Sequence, residues 1–228
     1  MKGYRNLTLA AYEHIKEMMM TSRLAPGERL KFKQLAERIG VSRTPVNNAL
    51  HILAREGYLD FVPNAGYSVR WPTGKETKEF KEIRLILEIG SIGKAIHRIT
   101  DNKLLRVQQA KTAYEKASGQ ADNRKLYLLD ANFHASLVAM ADNQQLVHYY
   151  LEICRKAVLS LQVASSPEAC FWRICREHDA LYQAVRLRDV DEAREMIRRH
   201  SETPDRTCWS PPQTLPVRRP LKPLSMTG

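Results

Sequence analysis

The chain has 228 residues, of which 43% are hydrophobic and 27% charged, a balance that is ordinary for a soluble globular protein of two small domains. It contains no run of about 18 apolar residues, and its N-terminus lacks the features of a signal peptide, so we expect a cytoplasmic protein without a membrane span. The formal net charge is +11, and residues 1–72 hold 11 Lys and Arg against 6 Asp and Glu. This basic segment favours a polyanionic partner, with nucleic acid as the first candidate.

The first unit, predicted to span residues 1–71, begins with two amphipathic helices. Apolar residues recur at helical spacing from Leu7 to Ser22, which predicts the first helix. A turn at Pro26-Gly27 separates it from a shorter helix that we predict from Lys31 to Ile39. Gly40 follows at the position where a helix often ends in a left-handed residue.

A third helix is predicted from Arg43 to about Glu56, with Ser42 as its N-cap and Pro45 in its first turn. Its apolar residues fall on one face, and they are Val46, Ala49, Leu50 and Leu53. Its opposite face, near the N-terminus, carries side chains that can form hydrogen bonds, namely Arg43, Thr44, Asn47 and Asn48. The third helix therefore presents a polar tip.

Two short strands, Tyr58–Val62 and Tyr67–Val69, follow the third helix and are joined by a turn at residues 63–66. Three helices followed by a hairpin predict a winged helix-turn-helix, in which the third helix enters the DNA major groove. On this interpretation Arg43 contacts guanine or a phosphate, and Asn47 or Asn48 pairs with adenine. Lys33 is placed to contact the DNA backbone. The alternative is a winged helix that binds protein, with a solvated polar tip.

The segment PGERLKFKQLAERIGVSRTPVNNALHILAREGYLDFVPNAGYSV resembles the DNA-binding domain of the GntR family of bacterial transcription regulators. The likeness covers most of residues 7–70 and includes the Pro26-Gly27 turn and the run from Val41 to Val46. The resemblance implies four DNA contacts, which are Lys33, Arg43, Thr44 and the wing glycine Gly66. Members of the family usually carry Arg-Glu where this chain has Asn47-Asn48, so no family operator is carried over.

The pattern changes at Trp71-Pro72-Thr73-Gly74, and we predict a linker over residues 72–76. Residues 77–201 are predicted to form an all-α helical bundle, which makes the whole fold mainly α. Residues 202–228 are Pro-rich and without periodicity, so we predict a mostly disordered tail.

The helical bundle contains four side chains that are suited to a divalent metal. Asp130 and His134 are four residues apart, so a helix presents both on one face. His178 and His200 flank a predicted turn at Leu187–Asp189, which would bring them to the same end of two antiparallel helices. One Asp and three His can bind Zn²⁺ or a similar ion. Two alternatives are four unconnected structural residues and a sulfur site made of Cys154, Cys170, Cys175 and His178.

The helical segment is also similar to the FCD ligand-binding domain of the FadR-like branch of the GntR family. The likeness rests on Ile83-Arg84, Leu87-Glu88, Asp130, Phe133-His134, Glu177-His178 and His200. It implies a divalent metal, Zn²⁺ with Ni²⁺ or Mn²⁺ as alternatives, held by Asp130, His134, His178 and His200. It further implies that Arg84 binds the carboxylate of a small effector. A salt bridge from Arg84 to Glu88, four residues on, is the alternative.

The leading interpretation is a homodimeric, ligand-responsive transcription regulator, more often a repressor in this family, which binds a palindromic operator. One alternative is a nonspecific or architectural DNA-binding protein, which the Asn47-Asn48 change leaves open. The other is a metal-dependent hydrolase that uses the four metal-binding candidates. Glu177 is the nearest candidate base for such an enzyme, and we expect it to point elsewhere on its helix.

Overall fold

The computed structural model describes residues 2–118, 121–161 and 168–202, with side chains from residue 6 onward. Except for Glu202, the predicted Pro-rich tail lies outside these ranges. Within them the fold is mainly α, as the sequence predicts: a winged helix-turn-helix, here called the winged helix domain, precedes an all-α helical domain. None of the described helices combines the length and apolar character needed to cross a membrane.

The winged helix domain consists of three helices and a small antiparallel sheet. Its elements are α1 (Lys2–Met20), β1 (Arg29–Leu30), α2 (Phe32–Ile39), α3 (Arg43–Arg55), β2 (Leu59–Val62) and β3 (Gly66–Val69). The strand order is β1-β3-β2, and β2 and β3 form the predicted hairpin, in which Val62 is opposite Gly66. Strand β1 was not predicted, because two residues are too few to show a periodicity.

The third helix packs as its sequence predicts, since its apolar stripe is fully buried. The residues of this stripe are Val46, Ala49, Leu50 and Leu53, each 0% exposed. Gly40 ends α2 in the left-handed conformation, with φ 77° and ψ 29°, and its N–H donates to the carbonyl oxygen of Ala36. Ser42 occupies the N-cap position of α3, but its side chain makes no capping hydrogen bond.

The helical domain contains the remaining elements. They are α4 (Gly74–His97), α5 (Asp101–Glu115), α6 (Asn123–Ala139), α7 (Gln144–Ala157), a 3₁₀ helix (Val158–Ser160), α8 (Glu168–Arg186) and α9 (Val190–Glu202). Helix α4 begins inside the predicted linker 72–76. It starts there because Thr73 and Glu76 form a capping box, in which each side chain binds the backbone N–H of the other residue.

Helices α8 and α9 form the predicted hairpin around Leu187–Asp189. Arg188 adopts φ 62° in this turn, and the turn returns α9 along α8 and α4. Leu181, Val185 and Ile197 belong to one buried cluster that joins these two helices to α4 and α6. This return places the C-terminal end of α9 beside the middle of α8.

The two domains are in contact through side chains from the helical domain. Leu159 in the 3₁₀ helix is 1% exposed and belongs to the core of the winged helix domain. Arg124, at the start of α6, is also 1% exposed and donates to the carbonyl oxygen of Leu161 from Nε at 2.9 Å and from Nη2 at 2.7 Å. Its Nη1 reaches the carbonyl oxygen of Met19, at the end of α1, at 3.4 Å.

Candidate functional site

The N-terminal turn of α3 presents polar side chains at the surface of the winged helix domain. Arg43 and Thr44 are exposed there, whereas Asn47 and Asn48, one turn later, are half-buried. Backbone N–H groups at a helix start are free to meet anions, so this tip suits a phosphate as well as a base edge. The two asparagines lie deeper than Arg43 and Thr44, and the predicted DNA contacts of these residues stay predictions.

Lys33 and Gly66 flank the third helix on α2 and on the wing. The side chain of Lys33 is 73% exposed and forms a loose ion pair with Glu37 at 3.9 Å, which leaves it free to exchange this partner for a phosphate. Gly66 has φ +82°, a conformation that favours glycine, and no described atom lies within 4 Å of where a Cβ would stand. A DNA backbone can therefore approach the wing closely at Gly66.

His51 connects the third helix to the wing, and the sequence analysis did not single it out. Its Nδ1 lies 2.8 Å from the hydroxyl of Tyr67, and its ring packs edge-on against the Tyr67 ring at 5.6 Å. Phe61, on the neighbouring strand, adds a third ring, 4.9 Å from that of Tyr67. This aromatic cluster joins α3 to the hairpin of β2 and β3. Its sequence signal is weak, because His51 lies on the exposed face of α3.

In the helical domain the structure brings together the four predicted metal ligands. Asp130 and His134 come from successive turns of α6, His178 from α8 and His200 from α9. One ligand atom from each of the four lies within 4.8 Å of those of the other three. Three of the residues are buried and His200 is nearly so, with 11% of its side chain exposed. We call this group the Asp130 cluster.

The spacing within the Asp130 cluster suits one divalent ion. Asp130 Oδ1 lies 3.0 Å from His178 Nε2, 3.1 Å from His200 Nε2 and 3.8 Å from His134 Nε2. Ligands about 2.1 Å from a tetrahedral ion stand about 3.4 Å apart, close to these separations. His134 Nε2 is buried and has no hydrogen-bond partner among the described residues, as expected of an atom that faces an ion. The donor set therefore fits Zn²⁺, Ni²⁺ or Mn²⁺.

Two glutamates outside the four-residue set orient the imidazole rings. Glu88 Oε2 lies 2.7 Å from His134 Nδ1, at an angle too poor for a hydrogen bond, and Glu177 Oε2 forms a hydrogen bond of 2.7 Å with His200 Nδ1. Carboxylates in these positions set the tautomer and orientation of metal-binding histidines. The expectation that Glu177 points away from the site was wrong, because α9 returns along α8 and brings His200 to it.

The protonation states of the four side chains in the Asp130 cluster favour the binding of a cation. Burial lowers the pKa of His178 to about 3 and also lowers the pKa of His134, so both imidazoles are neutral, as metal ligands must be. Burial opposes ionisation of Asp130, but Arg84 and His200 hold its pKa well below the usual range. Burial likewise disfavours a charge on His200, yet Asp130 raises its pKa to about 9. A metal ion therefore competes with one proton, on His200.

Arg84 lies against the Asp130 cluster, with 13% of its side chain exposed. Its Nε donates to Glu88 Oε1 at 2.8 Å, so the salt bridge considered from the sequence is present. Its Nη1 lies 2.9 Å from Asp130 Oδ2, and this second ion pair fixes the carboxylate that the histidines surround. The predicted contact between Arg84 and an effector carboxylate stays a prediction.

The alternative sulfur site is not assembled in the part of the chain that the structure describes. Cys154 and Cys175 are buried free thiols, and burial raises the pKa of each to about 11. Among the described residues, the Asp130 cluster is the one group of His, Cys, Asp or Glu whose ligand atoms converge. The two thiols therefore act as packing residues.

Two protein-family models match the chain. Residues 7–69 match the bacterial regulatory proteins of the gntR family, and residues 79–203 match the FCD domain. The FCD match alone spans more than half of the chain. Both matches agree with the resemblance drawn from the sequence.

Individual relatives point to the same class of protein. "Uncharacterized HTH-type transcriptional regulator YdhC" from Bacillus subtilis is 27% identical over 199 residues, which are 84% of this chain and 86% of that protein. "HTH-type transcriptional repressor RspR" from Escherichia coli is 25% identical over 193 residues, 83% of each chain. The solved structure of E. coli McbR/YncC has the same fold, with a TM-score of 0.69 and 21% identity over 85% of this chain and 94% of that one. These families and relatives are transcriptional regulators rather than enzymes.

Proposed function

The chain belongs to the GntR family of bacterial regulatory proteins and carries an FCD domain, and from this premise we propose a ligand-responsive repressor that binds a palindromic operator as a homodimer. The observation that carries the proposal is the presence in one chain of two sites, an exposed polar helix tip and a buried cluster of metal ligands. The first suits DNA, and the second suits a small ligand. We expect such a protein to bind chromosomal DNA in the cytoplasm.

On the DNA side, the proposed contacts divide into those that read bases and those that position the protein. Arg43, Asn47 and Asn48 read base edges in the major groove. Thr44, Lys33 and the backbone at Gly66 contact phosphates and sugars, which fixes the register of the protein on the duplex. Exposure of Arg43, Thr44 and Lys33 supports their availability for DNA contacts, since none of them is needed to fill the core.

In the helical domain, Asp130, His134, His178 and His200 would hold a divalent metal, with Zn²⁺ the first candidate. When bound, such an ion supplies a local positive charge for a ligand to meet. Three neutral imidazoles and one carboxylate leave a divalent ion with a net charge of about +1. The carboxylates of Glu88 and Glu177 beside the histidines offset this charge. Support for a small carboxylate effector therefore comes from Arg84, whose guanidinium lies at the same place.

The homodimer is supported by two neighbouring apolar side chains on α4. Ile83 and Ile86, about one turn apart, are 39% and 61% exposed and so form a small apolar strip on the surface. A second copy of the chain packed on this strip would cover both. Two winged helix domains would then read two half-sites, which is why a palindromic operator follows from dimerisation. Repression is supported by RspR, the similar E. coli protein that is named as a repressor.

A nonspecific DNA-binding function is the second candidate, and Asn47-Asn48 is the observation that favours it. The two asparagines are half-buried and stand where the family usually has Arg-Glu, so α3 has fewer exposed groups that can read bases. Such a protein would depend on phosphate contacts and would bind most sequences alike.

The experiment that separates these functions is a titration of the dimer with its own upstream DNA and with a random duplex of equal length. We expect the upstream DNA to bind at least about 10³-fold more tightly, with a salt dependence that counts the phosphate contacts. Equal affinity for both duplexes would contradict the repressor and support the nonspecific alternative. Repeating the titration with candidate carboxylic acids, with Zn²⁺ and with a chelator, tests the effector and the metal.

A further inference from the structure

A polar cluster at the boundary between the two domains centres on Glu152 of α7. Its Oε1 accepts from Lys16 Nζ at 2.9 Å, and its Oε2 accepts from the Tyr58 hydroxyl at 2.8 Å. Lys16 lies on α1 and Tyr58 directly precedes β2, so one carboxylate of the helical domain binds two elements of the winged helix domain. Arg155, one turn along α7, donates to Oε1 at 2.7 Å.

This contact is charged and largely withdrawn from solvent. The side chains of Lys16 and Glu152 are 10% and 18% exposed. Lys16 also donates to the Tyr12 hydroxyl at 2.8 Å, and its Nζ lies 4.6 Å from the centroid of the Tyr58 ring. Separating the domains here would break the contact between Lys16 and Glu152 and the hydrogen bond from Tyr58, leaving Glu152 with Arg155 and Lys16 with Tyr12 and Glu56. The cluster therefore favours one arrangement of the two domains.

The opposite face of α7 contacts Glu88, which lies beside the Asp130 cluster. The Tyr150 hydroxyl is buried and donates to Glu88 Oε1 at 2.8 Å. Oε2 of the same Glu88 lies 2.7 Å from His134 Nδ1. Two residues along a helix differ by about 200° around its axis, so Tyr150 and Glu152 point to opposite sides. Helix α7 thus stands between the Asp130 cluster and the winged helix domain, with a hydrogen bond on each side.

We propose that Glu152 is an interdomain latch, and that α7 transmits the occupancy of the Asp130 cluster to the winged helix domain through Tyr150 and Glu152. This inference rests on the proposed metal site. His134 would hold the ion through Nε2, and its Nδ1 lies against Glu88, which accepts a hydrogen bond from Tyr150. A change at Tyr150 would reach Glu152 through the packed α7, two residues along the same helix. Glu152 then carries the change to Lys16 and Tyr58.

The test compares hydrogen–deuterium exchange of the α1 backbone, residues 7–20, with Zn²⁺ and with a chelator. The full-length protein is used in three forms: wild type, Glu152→Gln and Tyr150→Phe. The matched control is Glu115→Gln, because Glu115 also pairs with a shielded lysine, Lys111 at 2.8 Å, but within the helical domain. Binding of Zn²⁺ to each form is measured separately by competition with a chromophoric chelator.

In the wild type and in Glu115→Gln, Zn²⁺ is expected to change α1 exchange by about 5-fold or more. In Glu152→Gln and Tyr150→Phe the change is expected to fall below about 2-fold while Zn²⁺ still binds. If Glu152→Gln does not fold, Tyr58→Phe removes one hydrogen bond of the latch with less disturbance and is expected to reduce the change as well.

Two further outcomes overturn the inference in different ways. Zn²⁺ binding with no change in α1 exchange of the wild type, or an unchanged response in Glu152→Gln, would overturn the latch and leave the metal site standing. Failure of the wild type to bind Zn²⁺ would overturn the proposed metal site, and the latch with it.

Discussion

The two domains place their polar side chains in opposite ways. The predicted DNA contacts Arg43, Thr44 and Lys33 are exposed, and Lys16 is the one buried charged residue among the described side chains of the winged helix domain. The helical domain instead buries a set of charged and imidazole groups, namely Glu88, Lys111, Arg124, Asp130, His134 and His178. An exposed site can change its specificity with little effect on folding, whereas a buried site helps to hold the fold and changes together with it.

The largest effect is expected from a substitution in the buried site. Asp130→Ala removes the carboxylate that balances Arg84 and His200, so we expect the free energy of unfolding to fall by about 3 kcal/mol or more. Zn²⁺ affinity should fall at least about 100-fold, beyond the effect of losing an outer group. Urea unfolding monitored by circular dichroism measures the free energy of unfolding, and a Zn²⁺ titration measures the affinity. Asp191→Ala, at a side chain that is 95% exposed, is the control. Wild-type stability of Asp130→Ala would contradict a structural role for the buried site.

The next prediction concerns the exposed site, where a substitution should weaken DNA binding without lowering the stability of the fold. Arg43→Ala is expected to weaken binding to the operator by about 1–3 kcal/mol, while the free energy of unfolding changes by less than about 0.5 kcal/mol. Fluorescence anisotropy with labelled operator and urea unfolding measure these quantities. Arg186→Ala, at an exposed arginine of the helical domain, should change neither. A large loss of stability in Arg43→Ala would show that the exposed site also supports the fold.

A smaller effect is expected at the wing. Gly66→Ala introduces a Cβ where φ is +82° and where no described atom lies within 4 Å, so backbone strain alone should cost about 1 kcal/mol. Gly74→Ala, at a position with similar space and no positive φ, should cost nothing. Comparing the melting temperatures of Gly66→Ala and Gly74→Ala with that of the wild type tests this prediction. Equal melting temperatures would mean that the wing accepts a side chain without strain.

The last prediction concerns the domain boundary, where the effect should depend on pH. Burial opposes ionisation of Glu152, but hydrogen bonds from Lys16, Tyr58 and Arg155 lower its pKa to about 2. The unfolded chain titrates near pH 4.5, so this carboxylate stabilises the folded state fully above that pH and progressively less as the pH falls toward 2. The difference in melting temperature between wild type and Glu152→Gln should therefore shrink as the pH is lowered through this window. A constant difference would mean that the charge of Glu152 does not matter.

The fold was largely predictable because its signals are local. The apolar stripe of α3, the left-handed Gly40 and the turn at Leu187–Asp189 each depend on a few neighbouring residues, and each is present in the structure. Strand β1 was missed because its two residues pair with β3 across the domain. That pairing is set by tertiary packing rather than by a pattern in the residues themselves.

The buried site was predictable in part. Asp130 and His134 share a helical face, the predicted turn at Leu187–Asp189 brought His178 and His200 together, and the resemblance to the FCD domain implied that all four bind a metal. The roles of Glu88 and Tyr150 were not predicted, because their contacts with the site depend on how α4 and α7 pack around α6. Glu177 was placed wrongly for the same reason. Sequence spacing describes one helix at a time, whereas these contacts join different helices.

The position of Leu159 bears on how such proteins can be recombined. The winged helix domain ends near residue 71 in sequence, yet its core includes this side chain from the 3₁₀ helix that follows α7. A chimera that joins residues 1–71 to an unrelated effector domain would therefore have a cavity in the core of the winged helix domain. An apolar side chain of the new domain would have to fill the position of Leu159. A designer of biosensors would therefore have to transplant Leu159 together with the winged helix domain.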